Sequence, residues 1–140
     1  GVQCNMTNSM NTPEEALEIS YTLRVECYEF REGSGGAGKY RGGLGVTRSV
    51  RAIGHEARVS LSAERRVLPP YGMYGGEAGE VGAHFSMDKG GELKEKPGKT
   101  TFSLPSDHLV IIQTPGGGGW GKPGERQPDA VIEDRLDEKM

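Results

Sequence analysis

One stretch of alternating sequence decides the fold: residues 21–28 read YTLRVECY. Tyr21, Leu23, Val25 and Cys27 stand at every second position, and Thr22, Arg24 and Glu26 separate them. A period of two predicts a half-buried β-strand, because successive side chains of a strand point to opposite faces. Further alternating or short apolar runs lie at residues 46–52, 57–62, 81–87, 100–104 and 109–113. Gly- and Pro-rich turns separate these runs, so we expect a mainly β protein, a Gly-rich antiparallel sandwich or barrel-like domain with one or two short helices.

The two helices are expected near the ends of the chain. Thr12 precedes Pro13 and Glu15, which predicts a helix near residues 13–19 with Thr12 as its N-cap and a capping box closed by Glu15. From Lys122 onward the sequence is dense in charge, and Asp129 can cap a short helix that runs to Leu136. We therefore expect a β-rich domain over residues 1–121. Residues 122–140 are expected to form a charged tail that docks on a partner, with loose order as the alternative.

Composition excludes several classes of protein. Of 140 residues 23 are glycine, roughly twice the average usage of about 7%. The net charge of −3 argues against a nucleic-acid-binding protein, which needs a basic face. No apolar run has the 18 residues of a membrane span, and two cysteines give neither a disulfide framework nor a zinc site. These features favour a cytoplasmic protein without nucleic-acid or membrane partners.

A Gly-rich segment imitates a phosphate-binding loop. Residues 33–39 read GSGGAGK and satisfy G-x-x-x-x-G-K, but Tyr40 stands where Ser or Thr should bind magnesium. The sequence RGGLG follows at residues 41–45, where a phosphate-binding loop should open a helix. We interpret the segment as a broad turn between strands that needs positive φ at several glycines.

A second Gly-rich segment, TPGGGGWG at residues 114–121, has four consecutive glycines. Such a backbone allows close approach of another chain or a ligand, or forms an anion-binding concavity. Elsewhere, Arg65 and Arg66 could clamp an anion or lie in a solvated turn. His55, His84 and His108 have no metal-ligand spacing, and Cys27 is expected to be a buried, inert thiol.

Read as phrases, the sequence resembles the C-terminal part of the hydantoinase B/oxoprolinase family. The phrases stand in the family's order at residues 6–14 (MTNSMNTPE), 34–45 (SGGAGKYRGGLG), 65–79 (RRVLPPYGMYGGEAG), 114–121 and 127–134 (QPDAVIED). The resemblance implies an ATP-dependent, biotin-independent enzyme that hydrolyses cyclic amides or carboxylates ketones. Gln3 and Asn5 replace the His-x-His pair that the family often carries, so no metal site is expected on this chain.

The resemblance also implies partners and cofactors. We expect a hetero-oligomer with a hydantoinase B-like large subunit and a hydantoinase A-like subunit. ATP and Mg, with any further divalent metal, would be bound by a partner subunit and none by this chain alone.

The function expected first is that of a small subunit of a ketone carboxylase of the acetophenone carboxylase type, completing the hydantoinase B-like component. The alternatives are a fragment or subunit of an N-methylhydantoinase or 5-oxoprolinase, and a non-catalytic structural subunit. No catalytic residue is assigned. The candidates for a shared substrate site or an interface are Thr7, Asn8, Asn11, Arg41, Arg65, Gly116, Gly117, Gly118 and Gly119.

Overall fold

The computed structural model describes residues 12–140. In that part of the chain, one α-helix precedes a series of seven strands and a second α-helix follows it. In chain order the elements are α1 (Glu14–Ser20), β1 (Leu23–Arg31), β2 (Gly45–Ala52), β3 (Ala57–Ser62), β4 (Ala83–Met87), β5 (Leu93–Glu95), β6 (Lys99–Leu104), β7 (Leu109–Gln113) and α2 (Pro128–Leu136). Over residues 12–140, strand accounts for 35% and helix for 15%, so the mainly β prediction is confirmed.

The strands form two antiparallel units. Five of them make one sheet in the order β1-β2-β7-β4-β5, and β3 pairs with β6 in a separate two-stranded unit. Every neighbouring pair is antiparallel. Over residues 12–140 the sheet does not close into a barrel, so the protein is a small domain of antiparallel sheets.

A small apolar core lies between the sheet and the two-stranded unit. Ala52 of β2 and Val110 of β7 are buried there with Leu104 of β6. Partly buried side chains from both units surround these three: Leu23, Val50, Ala57, Val59, Phe102 and Ile112. Residues directly opposite in an antiparallel ladder share a face, so Val50 and its partner Val110 place this core on one face of the sheet.

A β-bulge in β1 interrupts the apolar face that the alternation of residues 21–27 predicts. Val25 pairs with Val50, but the register shifts and Cys27 pairs with Ser49. The extra residue moves Cys27 to the opposite face from Val25 and places Tyr28 on the core face instead. Cys27 is consequently half-buried rather than buried, and burial is the main reason why the pKa of its thiol is raised.

Both helices begin differently from the predictions. The N-cap of α1 is Pro13 rather than Thr12, and no side chain of the described residues caps this helix, so the predicted capping box is wrong. The N-cap of α2 is Gln127, and Asp129 lies in the first turn. In α2, Pro128 takes the first helical position because its fixed φ suits a helix start, while α2 ends at Leu136 as predicted.

Candidate functional site

Five short runs of backbone without regular secondary structure pack side by side at residues 34–38, 40–43, 70–73, 76–80 and 116–121. We call them the glycine bundle. The run at 116–121 lies in the middle, because backbone hydrogen bonds join it to the other four. Its partners are Gly36 (2.8 Å to Gly117), Gly43 (2.8 Å to Gly117), Met73 (2.9 Å to Gly119) and Glu77 (2.8 Å to Gly119).

Close packing of backbone on backbone explains most of the glycines in the bundle. A Cβ on Gly116 would lie closer than 3.0 Å to the carbonyl of Ser34, and one on Gly118 would lie as close to the carbonyl of Tyr71. A Cβ on Gly119 would likewise lie closer than 3.0 Å to the carbonyl of Ala37. Heavy atoms do not approach a Cβ at such distances, so these positions require glycine.

The first Gly-rich segment was expected to need glycine for positive φ at several positions, and the structure shows a different reason. Within residues 33–38 only Gly33 has a positive φ, at 65°. Gly35, Gly36 and Gly38 are required for space, since a Cβ on each would collide with backbone of the bundle. The segment does connect β1 to β2, as the turn interpretation requires.

The same geometry separates residues 33–39 from a phosphate-binding loop. The N–H of Gly36 donates to the carbonyl of Gly117 at 2.8 Å, and that of Lys39 donates to Gly121 at 3.2 Å. These amides are therefore occupied by the chain itself. Residues 40–44 continue without helix, whereas a phosphate-binding loop opens directly into one.

Arg41, one of the predicted site residues, takes part in a buried ion-pair cluster. Its Nε donates to Asp134 Oδ2 at 3.1 Å, and Arg126 Nη2 lies 2.8 Å from the same oxygen. The side chain of Asp134 is only 4% exposed. Burial alone would raise the pKa of this carboxyl, but the hydrogen bonds and charges of Arg126 and Arg41 hold it below its ordinary value. The cluster binds α2 to the glycine bundle within one chain.

A cavity of about 720 Å³ lies beside this cluster. Phe30, Tyr40 and Leu44 supply apolar walls, and Lys139 supplies a charge. Gly43 also lines it, and a Cβ on Gly43 would meet no atom within 4 Å. The guanidinium groups of Arg41 and Arg126 are already engaged with Asp134, so the cavity has a mixed rather than a strongly cationic character.

Arg65 and Arg66 do not form a shared clamp. The guanidinium of Arg65 lies over the ring of Tyr71, 5.9 Å from its centre, and Arg65 has a positive φ of 58°. Arg66 instead donates to the Lys96 carbonyl and pairs with the carboxylate of Glu95. The two neighbours therefore have different partners, and only Arg65 lacks a carboxylate partner among the contacts described. Its role at a substrate site or interface stays a prediction.

Sequence reasoning missed His84 as a buried polar group. Its residue is 2% exposed, and neither ring nitrogen has a hydrogen-bond partner within residues 12–140. Loss of solvation, and secondarily the charge of Arg66, lowers the pKa of the imidazole. The sequence carried no signal for this burial, because Ala83, Phe85 and Met87 make the other face of β4 the apolar one. Only the strand pairing shows that His84 faces Ile112 on the core side.

Three predicted site residues, Thr7, Asn8 and Asn11, lie outside the described residues. Of the remaining candidates, the structure brings Gly116–Gly119 close to residues 40–43, next to Arg41. In the part of the chain from residue 12 onward, no group of three His, Cys, Asp or Glu side chains could hold a metal ion. None of its helices has the length and apolar character needed to cross a bilayer.

Comparison with known sequences confirms the resemblance. The family model for hydantoinase B/oxoprolinase matches residues 1–123. An uncharacterized protein of Methanocaldococcus jannaschii is 43% identical over 131 residues, which cover 94% of this chain and 23% of the relative. The 5-oxoprolinase of Dictyostelium discoideum is 38% identical over 133 residues, which cover 95% of this chain and 10% of that enzyme.

Two solved structures share the fold of this chain over most of its length. The ATP-dependent caprolactamase of Pseudomonas jessenii superposes with a TM-score of 0.82 at 28% identity, over 92% of this chain and 23% of the caprolactamase chain. Acetone carboxylase in its nucleotide-free form shares the fold, with a TM-score of 0.69 at 18% identity over 91% of this chain and 21% of the carboxylase chain. The chain thus spans about a quarter or less of the proteins it matches. Together with the match of the family model, these likenesses show that the chain belongs to the hydantoinase B/oxoprolinase family.

Proposed function

We propose that this chain forms part of the hydantoinase B-like component of an ATP-dependent enzyme that opens a cyclic amide. The likeness to the caprolactamase carries the proposal, because it combines 28% identity with a TM-score of 0.82 over nearly the whole chain. The similarity to a 5-oxoprolinase, at 38% identity, supports the same reaction class.

In such a reaction ATP, bound by a hydantoinase A-like partner, supplies the phosphoryl group that activates the amide oxygen. This chain would contribute a rigid wall of the component rather than the nucleotide site. The support is that the amides of Gly36 and Lys39 are used within the glycine bundle, and that Arg41 is paired with Asp134. Positioning of the substrate by a rigid wall is itself a contribution to rate.

We place the substrate contacts of this chain in the segment that carries Thr7, Asn8 and Asn11. Uncharged hydrogen-bond donors suit a carbonyl oxygen that gains negative charge in the transition state. Gly116–Gly119 would support this site indirectly, since their close contacts are made with their own chain.

A ketone carboxylase remains the second candidate, including the acetophenone carboxylase type that the sequence resemblance first suggested. The observation in its favour is the shared fold with acetone carboxylase. The two candidates differ in their products, because hydrolysis consumes water and carboxylation consumes bicarbonate.

The experiment that separates them uses the assembled enzyme, purified from its native source through a tag on this chain. It is incubated with ATP and Mg²⁺ and either 5-oxoproline, N-methylhydantoin or caprolactam, or with acetone or acetophenone and labelled bicarbonate. We expect ADP formation coupled to ring opening of one of the cyclic amides. Incorporation of labelled bicarbonate into a ketone, without ring opening, would establish the carboxylase instead.

The substrate contact is tested by Asn8→Ala in the same assembled enzyme. Turnover should fall by about tenfold or more, which corresponds to roughly 1.4 kcal/mol at the transition state. Asn5→Ala is the matched control, since it removes an amide from the same segment and should leave turnover within about twofold. If Asn8→Ala leaves an assembled enzyme at full rate, the chain serves as a structural subunit only.

A further inference from the structure

Three aromatic rings form one exposed cluster at an end of the glycine bundle. The ring of Trp120 lies 5.5 Å from that of Tyr40 and 5.4 Å from that of Tyr74, measured between ring centres. Tyr40 is 62%, Tyr74 73% and Trp120 44% exposed, and the neighbouring Met73 is 49% exposed. We call these four residues the aromatic patch. Single exposed apolar side chains are ordinary, but a contiguous group of this kind marks an interaction surface.

The backbone beneath the aromatic patch is fixed by hydrogen bonds. Tyr40 and Trp120 exchange two of them, each 2.9 Å long. The carbonyl of Met73 accepts from Gly121 at 2.9 Å, which ties the third run to the same place. The rings are thus presented on a rigid support, and little conformational freedom would be lost when a partner covers them.

Tyr74 has a backbone conformation that is uncommon for its residue type. Its φ is 52°, and Gly75 follows with a φ of 90°. Positive φ is unfavourable for a bulky side chain. The N–H of Gly76 donates to the carbonyl of Met73 at 3.0 Å, so Tyr74 and Gly75 are the central residues of a tight turn. This turn presents the Tyr74 ring beside Trp120.

We propose that the aromatic patch is the surface on which the remaining part of a hydantoinase B-like polypeptide packs. The proposal rests on the function proposed above. In the archaeal relative and in the caprolactamase, the matched region is 23% of the chain, so about three quarters of each protein lies outside this unit. Trp, Tyr and Met are the residues enriched at the centres of protein interfaces.

The composition of the aromatic patch also specifies the chemistry of the surface it meets. Trp120 and Met73 require an apolar contact. The hydroxyl groups of Tyr40 and Tyr74 require hydrogen-bond acceptors when they are removed from water. The partner surface should therefore be apolar at its centre, with backbone or side-chain oxygens at its rim.

The test uses the fact that the chain has one tryptophan. Labelling the full chain with 5-fluorotryptophan gives a single fluorine resonance that reports on the aromatic patch. We add the hydantoinase B-like large polypeptide that co-purifies with the chain. We expect the resonance to move and to lose its shift between H₂O and D₂O, because Trp120 becomes covered.

Substitutions in the aromatic patch test whether it is the surface that binds the large polypeptide. Tyr40→Lys and Tyr74→Lys should each weaken binding of the large polypeptide by about tenfold or more. Tyr21→Lys is the matched control, because Tyr21 is also a 62% exposed tyrosine but lies beside α1, and it should bind as the unchanged chain does. An unchanged circular dichroism spectrum shows that each variant is folded.

The outcomes separate this inference from the proposed function. Normal binding by both patch variants, with an unmoved fluorine resonance, overturns the inference while the enzyme retains its activity. Covering of Trp120 that depends only on the concentration of the chain itself would assign the patch to a second copy and also overturn it. Absence of any hydantoinase B-like partner overturns both.

Discussion

Gly118 and Gly43 lie in the same bundle, yet only Gly118 must be glycine for lack of space. A Cβ on Gly118 would collide with the carbonyl of Tyr71, whereas a Cβ on Gly43 would meet nothing within 4 Å. Gly117 is intermediate, with the nitrogen of Gly43 at 3.1 Å, and it has no positive φ. Position 117 therefore does not require glycine for its backbone angle. The strict positions are its neighbours, Gly116 and Gly118.

Alanine substitutions test this distinction. Gly118→Ala should destabilise the chain by about 3 kcal/mol or more, because rigid backbone must move to admit one methyl group. Gly43→Ala is the matched control and should be neutral or stabilising by up to about 1 kcal/mol, since alanine restricts the unfolded chain. Urea denaturation followed by circular dichroism measures both. Equal losses in the two variants would contradict the packing explanation.

His84 predicts a dependence of stability on pH. Its pKa is lowered in the folded state, so the unfolded chain takes up a proton at a higher pH than the folded chain does. Stability should be unaffected by this group above the ordinary value of 6.5 and should fall as the pH decreases below it. Urea midpoints measured between pH 8 and pH 5 should show this decline.

The variant His84→Met should remove the decline and add about 1 kcal/mol at pH 7, because two unpartnered nitrogens are replaced by an apolar side chain. His55→Gln is the control and should keep the decline, since His55 is hydrogen-bonded to Thr22 and leaves His84 in place. A decline of the same size in His84→Met would mean that another group titrates.

At the scale of elements, α2 is attached to the glycine bundle mainly by charge. Most of its large side chains are exposed, including Ile132 at 57% and Leu136 at 77%, and Asp134 is its buried residue. Removing the carboxylate leaves two largely buried guanidinium groups without an anion, which is costly. Asp134→Asn should therefore destabilise the chain by about 3 kcal/mol.

The control for this prediction is Asp129→Asn, which removes an exposed acid from the first turn of the same helix. It should cost at most about 1 kcal/mol, the usual size of a helix-dipole effect. Thermal denaturation of the two variants gives the comparison. A loss in Asp134→Asn no greater than in Asp129→Asn would show that the ion-pair cluster contributes little.

The loop between β1 and β2 carries a prediction about nucleotide binding. Lys39 Nζ lies 3.9 Å from the carboxylate of Glu125, and the backbone amides around it are bonded to residues 116–121. Lys39→Ala should therefore leave ATP binding by the assembled enzyme within about threefold of the original, which corresponds to less than about 0.7 kcal/mol. Equilibrium binding of a fluorescent ATP analogue measures this. Complete loss of binding would show that the loop holds phosphate after all.

At the scale of the whole molecule, buried apolar surface is scarce. Five hydrophobic residues are buried, whereas fifteen large hydrophobic side chains are exposed in the described part of the chain. A unit of this kind is suited to association, because exposed apolar area is removed from water when a partner covers it.

We predict that the purified chain binds the dye ANS and that assembly with the proposed large polypeptide reduces the signal by about half or more. The double variant Tyr40→Lys with Tyr74→Lys should bind less dye than the unchanged chain. Tyr21→Lys should match the unchanged chain. Equal dye binding before and after assembly would place the exposed apolar surface outside the interface.

The sequence by itself determined the features that depend on local spacing. Alternation at residues 57–62 and the short apolar run at residues 109–113 predicted strands with the observed bounds, because both signals depend on only a few neighbouring residues. Tyr40 and the glycines after it excluded a phosphate-binding loop for equally local reasons. The short strand β5 was missed because its three residues are all exposed and carry no alternating apolar pattern.

Only the tertiary structure decided which distant residues meet. Arg41 and Asp134 are 93 positions apart, and nothing in the spacing of charges pairs them. The bulge in β1 is visible only through its partner strand, which is why Cys27 was placed on the wrong face. The glycines of the bundle are explained by carbonyl groups from other runs, and contacts between remote segments of backbone leave no periodic signal in the sequence.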